Sequence, residues 1–128
     1  MAETPSRMLP LGTPAPEFTL SNVMDGKTFS LADCRGSRAL LVMFICNHCP
    51  YVLHVLGEFK RLQDDFTPRG LRIVAINSND TENYPQDGPT HMRELARKEG
   101  WSFPFLLDET QQVARAFQAA CTPDFFLF

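Results

Sequence analysis

Long apolar runs are missing from this sequence. The longest, Ala39 to Cys46, falls far short of the ~20 residues a membrane helix needs. No surplus of one charge is present either: 12 Lys and Arg face 15 Asp and Glu, a net −3 with a pI near 5.5. That balance leaves no electrostatic footprint for nucleic acid. Gly (7) and Pro (10) are too few for a collagen-like or low-complexity chain. The first residues, MAETPSRMLPLGTPAP, lack the apolar core behind a basic start that marks a secretory signal. No G-x-S-x-G elbow and no Gly-rich phosphate loop occur, so hydrolase and nucleotide-binding functions rank low and no cofactor is expected. Four cysteines are too few to staple a mini-domain, and a reducing, cytoplasmic setting is expected. What remains is 128 residues, 44% hydrophobic and 21% charged, which is the make-up of a single globular domain.

The opening segment, 1–16, carries Pro5, Pro10, Pro14 and Pro16 and reads as an extended lead-in to a domain over 17–128. Phe18-Thr19-Leu20 reads as a short strand, turning at Asp25-Gly26 toward a partner at Thr28-Phe29. The run at 39–45 has no alternation, as in a central strand buried on both faces. Residues 50–66 switch to a helical period, with Val52, Val55, Leu56, Phe59, Leu62 and Phe66 on one face. Pro68 and Gly70 end that helix, and 71–77 is the next strand, parallel to the first. A polar loop from Ser78 to Gly88 leads to a helix ending at Gly100. Trp101 to Leu107 reads as extended, with Pro104 keeping it out of a sheet interior. Asp108 and Gln111 resemble a capping box for a short helix over Val113, Ala114 and Phe117. A final apolar strand, DFFLF, is expected inside a sheet, with a further strand and helix beyond it. The order is β-β-β-α-β-α-α-β, an α/β chain with a mixed sheet flanked by helices.

The chemistry concentrates in Ile45-Cys46-Asn47-His48-Cys49-Pro50-Tyr51. Two thiols three positions apart stand where a buried strand gives way to a helix. A thiolate, not a thiol, attacks disulfides and peroxides, and the positive end of a helix favours it. A second thiol at this spacing releases a mixed disulfide by closing an intramolecular one. His48 adds positive character and makes the pair more oxidising. A C-x-x-C is also half of a tetrahedral zinc site, for which Cys121 or a His would supply further ligands. Cys46, Cys49 and His48 equally suit copper. No second C-x-x-C and no paired His motif accompany it, so redox chemistry ranks above metal binding.

The segments APEFTL, DGKTFSL, LLVMFICNHCPYV, FPFLLDE and TPDFFLF resemble the thioredoxin-like superfamily. Within it they are most similar to the alkyl hydroperoxide reductase/thiol-specific-antioxidant branch, in a peroxiredoxin-like group with a C-x-x-C. The likeness runs from about Leu11 onward. It implies a thioredoxin-like fold and a thiol–disulfide oxidoreductase acting on protein or small-molecule disulfides or thiols. It also implies a cis proline facing the cysteine pair, which here is Pro123 after Thr122, gripping the substrate backbone.

Carried over residue by residue, the thioredoxin pattern makes Cys46 the attacking and Cys49 the resolving thiol. The peroxiredoxin pattern instead makes Cys49, followed by Pro50, the peroxidatic residue, with Cys46 where a Thr is usual. Local physics leaves both open: Pro50 costs a helical hydrogen bond if the helix starts at Cys46 and nothing at the first position after a Cys49 cap. Two departures favour disulfide exchange. The usual Thr is Cys46, and the Arg expected before the last strand is Pro123. Ile45 replaces the Trp of classical thioredoxins.

Cys121 precedes the Thr-Pro and is expected near Cys46, as a buried small residue or a third redox or metal-binding sulfur. Cys34 carries no motif. His54 lies on the wet face of its helix and His91 opens another with nothing nearby to activate. Asp80, Glu82 and Asp87 lack the spacing of a calcium loop and read as solvating acids that rim the site at most.

Overall fold

The structure, a computed structural model, describes residues 5–79 and 85–128. Six strands form one mixed sheet: β1 (Thr19–Asn22), β2 (Thr28–Ser30), β3 (Ala39–Phe44), β4 (Leu71–Asn77), β5 (Phe105–Leu107) and β6 (Asp124–Leu127), in the order β2-β1-β5-β4-β3-β6. Three helices accompany it: α1 (Pro50–Phe66), α2 (Pro89–Glu99) and α3 (Gln112–Phe117). β3 and β4 run parallel, in register from Ala39 opposite Leu71 to Phe44 opposite Ile76. β4 and β5 are parallel too, whereas β1–β2, β1–β5 and β3–β6 are antiparallel.

The unbroken apolar run at 39–45 now has its reason. Successive side chains of a strand point to opposite faces, and both faces here are covered. Met43 and Ile45 pack with Val52 and Phe59 of α1 and with Met92 and Ala96 of α2. Leu40, Val42 and Phe44 pack on the other side with Val113 and Phe117 of α3. β4 divides the same way, Ile73 and Ala75 against Val74 and Ile76. The α1 stripe holds at Val52 and Phe59, but Phe66 is 42% exposed and lies against the Arg69 guanidinium at 5.8 Å. Gln63 is buried in its place, donating to the Gly100 carbonyl and accepting from the Ser102 N–H. A turn of 3-10 helix (Thr67–Arg69) closes α1, and Gly70 follows with φ +103°, where an added Cβ would lie 2.8 Å from Arg38 Cγ.

Two expectations need correction. Phe105–Leu107 is not kept out of the sheet interior: β5 sits between β1 and β4, so the order is β-β-β-α-β-α-β-α-β. Pro104 precedes the strand, and its carbonyl still accepts from the Ala75 N–H at 3.0 Å. The missing N–H therefore falls outside the ladder. Second, Asp108 and Gln111 form no capping box. Gln111 is the N-cap in left-handed conformation, and the buried Asp108 carboxylate reaches forward to the N–H groups of Val113 and Ala114. At one side of the sheet, β6 is hydrogen-bonded among the described residues to β3 alone. Phe126 is buried while Phe125 and Leu127 face outward. The hairpin at Asp25-Gly26 is as expected, with Asn22 N–H bonded to the Lys27 carbonyl at 2.8 Å. Residues 5–16 contain no helix or strand, and Ser6 ties them to the Asp124 carboxylate at 2.7 Å. Asp80 and Glu82 lie outside the described residues.

Candidate active site

The β3 ladder continues one residue past the strand, with Ile45 N–H bonded to the Ile76 carbonyl at 2.9 Å. Cys46 follows at the sheet's end. Cys49 then becomes the N-cap of α1, and Pro50 occupies the first helical turn, where its missing N–H is harmless. The Leu53 N–H closes the first helical bond onto the Cys49 carbonyl at 3.0 Å. Of the two placements the sequence left open, Pro50 thus takes the position after a Cys49 cap.

Thr122 faces both sulfurs. Its hydroxyl lies 3.7 Å from Cys46 Sγ, and its carbonyl accepts from the Cys49 thiol at 3.3 Å. The Thr122–Pro123 peptide is cis, as the resemblance implied. Both cysteines are fully buried.

Their surroundings act in opposite directions. Burial pushes the Cys46 thiol above its ordinary value; the Thr122 hydroxyl pulls it down, and the Asp87 charge adds to the rise. Burial also raises Cys49, but there the Thr122 hydroxyl, the N–H groups of Val52 and Tyr51 at the open helix end, and the Cys46 thiol prevail, and its pKa is lowered. The resemblance to thioredoxins gave the attack to Cys46; the thiol that this environment acidifies is Cys49. Cys121 is partly buried and bonds weakly to the Pro123 carbonyl at 3.6 Å. Burial raises its pKa, with Asp124 and Cys49 adding to the rise. Cys34 is buried in a 3-10 turn away from these groups, at the strand ends opposite the pair. His54 is exposed, and His91 is an exposed neighbour of Glu94.

One residue was misread. Asp87 is no solvating acid: it is fully buried beneath the loop between the cysteines. Its Oδ1 accepts the Asn47 N–H at 2.8 Å, and its Oδ2 meets His48 Nδ1 at 2.6 Å and Asn79 Nδ2 at 3.1 Å. Its backbone carbonyl accepts from Asn77 Nδ2 at 2.8 Å. A polar loop residue gives no local signal of this, since Asn47 and His48, which it meets, lie some 40 positions earlier. Cys46, His48 and Asp87 each offer a donor atom within 4.8 Å of the others, a group able to hold a metal ion, although His48 and Asp87 are already engaged with each other.

Comparison with known proteins adds family context. The AhpC/TSA family model matches residues 11–128. A Mycobacterium tuberculosis (strain H37Rv) protein named a peroxiredoxin is 32% identical over 114 residues, 89% of this chain and 66% of that one. The thiol-disulfide oxidoreductase ResA of Geobacillus thermodenitrificans (strain NG80-2) is 26% identical over 119 residues, 91% of this chain and 62% of ResA. The crystal structure of an uncharacterized conserved protein from Geobacillus kaustophilus superposes with a TM-score of 0.93 at 52% identity, covering 99% of this chain and 69% of that one. The fold is thioredoxin-like. The chain spans just under two thirds of the length of the curated relatives it matches.

Proposed function

The chain belongs to the AhpC/TSA family, and within it we propose a dithiol–disulfide oxidoreductase in which Cys46 and Cys49 cycle between two thiols and one disulfide. The observation that carries this reading is the pairing of Cys49, at the amino end of α1 beside Thr122, with a second thiol in contact with it. Cys49 holds the thiolate. It attacks one sulfur of a substrate disulfide, forming a mixed disulfide and expelling the other sulfur as thiolate. Cys46 then loses its proton, attacks Cys49 Sγ and releases the second substrate thiolate, leaving the Cys46–Cys49 disulfide. Two electrons have passed from the protein to the substrate, and the cycle reverses when a partner dithiol reduces the pair. Thr122 and Pro123 position the incoming chain, and His48 tunes the pair.

A second oxidant is favoured by one observation: neither cysteine is exposed, so a small molecule reaches the sulfur with less movement than a protein disulfide. With a hydroperoxide, the Cys49 thiolate takes the terminal oxygen to give a sulfenic acid and an alcohol or water. Cys46 then condenses with it to the same disulfide, releasing water. The test is a rate comparison on fully reduced protein, following the intramolecular disulfide first with a small aromatic disulfide and then with hydrogen peroxide. Faster reaction with the disulfide is expected. Faster reaction with peroxide makes the protein a peroxidase, and no disulfide with either oxidant overturns the dithiol reading.

A further inference from the structure

We propose that Asp87 is the positioning residue of this site: its buried carboxylate fixes the Asn47–His48 loop and steers attack to Cys49 by placing its charge against Cys46. The inference rests on the dithiol reading only for the identity of the two sulfurs. Two segments converge on this one carboxylate. Asn47 and His48 come from the loop between the cysteines, Asn79 from just beyond β4, and Asn77, at the end of β4, holds Asp87 by its backbone. A fully buried carboxylate is strongly disfavoured unless its oxygens are satisfied, and here both are. That investment is out of proportion to holding a surface turn.

The placement is asymmetric. The Asp87, His48 and Cys46 donor atoms lie within 4.8 Å of one another. Cys49 faces the Thr122 carbonyl and the open helix end instead. A negative charge at that range, away from bulk water, opposes a thiolate on Cys46 far more than it would in water. The His48 ring, its side chain 27% exposed, meets this carboxylate at 2.6 Å. Asp87 raising the Cys46 thiol agrees with this arrangement.

The test reads which sulfur reacts and needs no turnover, so it is separable from the choice of oxidant. The reduced protein is briefly treated with limiting iodoacetamide at pH 8, and the alkylation of Cys46 and of Cys49 is measured by peptide mass spectrometry. Asp87→Asn keeps an acceptor for the Asn47 N–H and removes the charge. It is expected to raise the Cys46-to-Cys49 ratio about tenfold, the effect of one pKa unit. His48→Ala, at a partly exposed position, keeps the charge and removes its partner, so the ratio is expected to fall below wild type. Asn79→Ala removes a hydrogen bond and keeps the charge, so its ratio should stay at the wild-type value. Equal shifts in Asn79→Ala and Asp87→Asn would reduce Asp87 to a structural role and overturn the proposal. If Asp87→Asn does not fold, a His48→Ala ratio at or above wild type overturns it on its own.

Discussion

Replacing Thr122 by Val keeps the β-branched shape before Pro123 and deletes a hydroxyl that faces both sulfurs. For Cys49 that hydroxyl is the largest of the influences opposing burial. Hydrogen bonds to charged groups contribute about 1.5–3 kcal/mol, and a sulfur acceptor at the long distance seen for Cys46 belongs at the low end. A loss of about 1.4 kcal/mol raises the Cys49 pKa by roughly one unit. Wherever the pH lies below the midpoint, the thiolate fraction then falls by up to about tenfold, and mixed-disulfide formation slows with it. The assay is the far-ultraviolet thiolate absorbance of reduced protein titrated with pH, paired with the rate of attack on a small disulfide. Thr122→Ser restores the hydroxyl and should recover most of both. A Thr122→Val midpoint at or below wild type would refute the assignment of Thr122 as the group that stabilises the thiolate.

Further expectations concern pH, packing and metal content. The lowered Cys49 pKa means that the unfolded chain holds this proton longer, from the folded-state midpoint up to the ordinary value of 9.0. Stability of the reduced protein therefore rises with pH through that window and is lost as pH falls through the folded midpoint. Urea unfolding of wild type against Cys49→Ser should show a gap that widens from neutral pH toward 9.0, and a constant gap would contradict it. Cys34, Cys46 and Cys121 are raised, so their contribution turns against the folded state above 9.0. Phe117→Ala removes a fully buried ring that meets Phe44 at 5.3 Å and Phe126 at 5.6 Å. It should cost about 3–5 kcal/mol in the same assay, and a loss under about 1 kcal/mol would mean the site collapses around the gap. Reduced protein purified without added metal should carry far less than one zinc or copper per chain, since His48 and Asp87 bind each other; a full equivalent by elemental analysis would revive the metal reading.

Much of the scaffold was legible in the residues. The run at 39–45 and, Arg72 and Asn77 aside, the one at 71–77 are apolar without alternation, as in a strand covered on both sides. The helix between them carries a six-residue apolar stripe, and its one failure, Phe66, lies in its last position, where the chain already turns away. Cys46, Cys49 and the Thr122–Pro123 pair also stood out, because thiol spacing and a proline before an apolar strand are local signals. The misses depend on partners distant in sequence. β5 has three residues, too few for a period, and is a strand because β1 and β4 flank it. Asp108 caps α3 from outside the usual cap position, because the backbone at Gln111 has turned left-handed. Asp87 reads as a loop acid until Asn47 and His48, some 40 residues earlier, fold onto it. Thr122 and Asp87, on which the proposed order of the two sulfurs rests, are likewise distant from the C-x-x-C in sequence.

The central question is which sulfur forms the mixed disulfide. Reduced Cys46→Ser and Cys49→Ser proteins, each incubated with a small aromatic disulfide at neutral pH, would be followed by the released aromatic thiolate and by intact mass. The account predicts a rapid, stable adduct on Cys49 in Cys46→Ser and slow labelling in Cys49→Ser. Rapid adduct formation on Cys46 in Cys49→Ser, with Cys46→Ser inert, would contradict it and return the attack to Cys46.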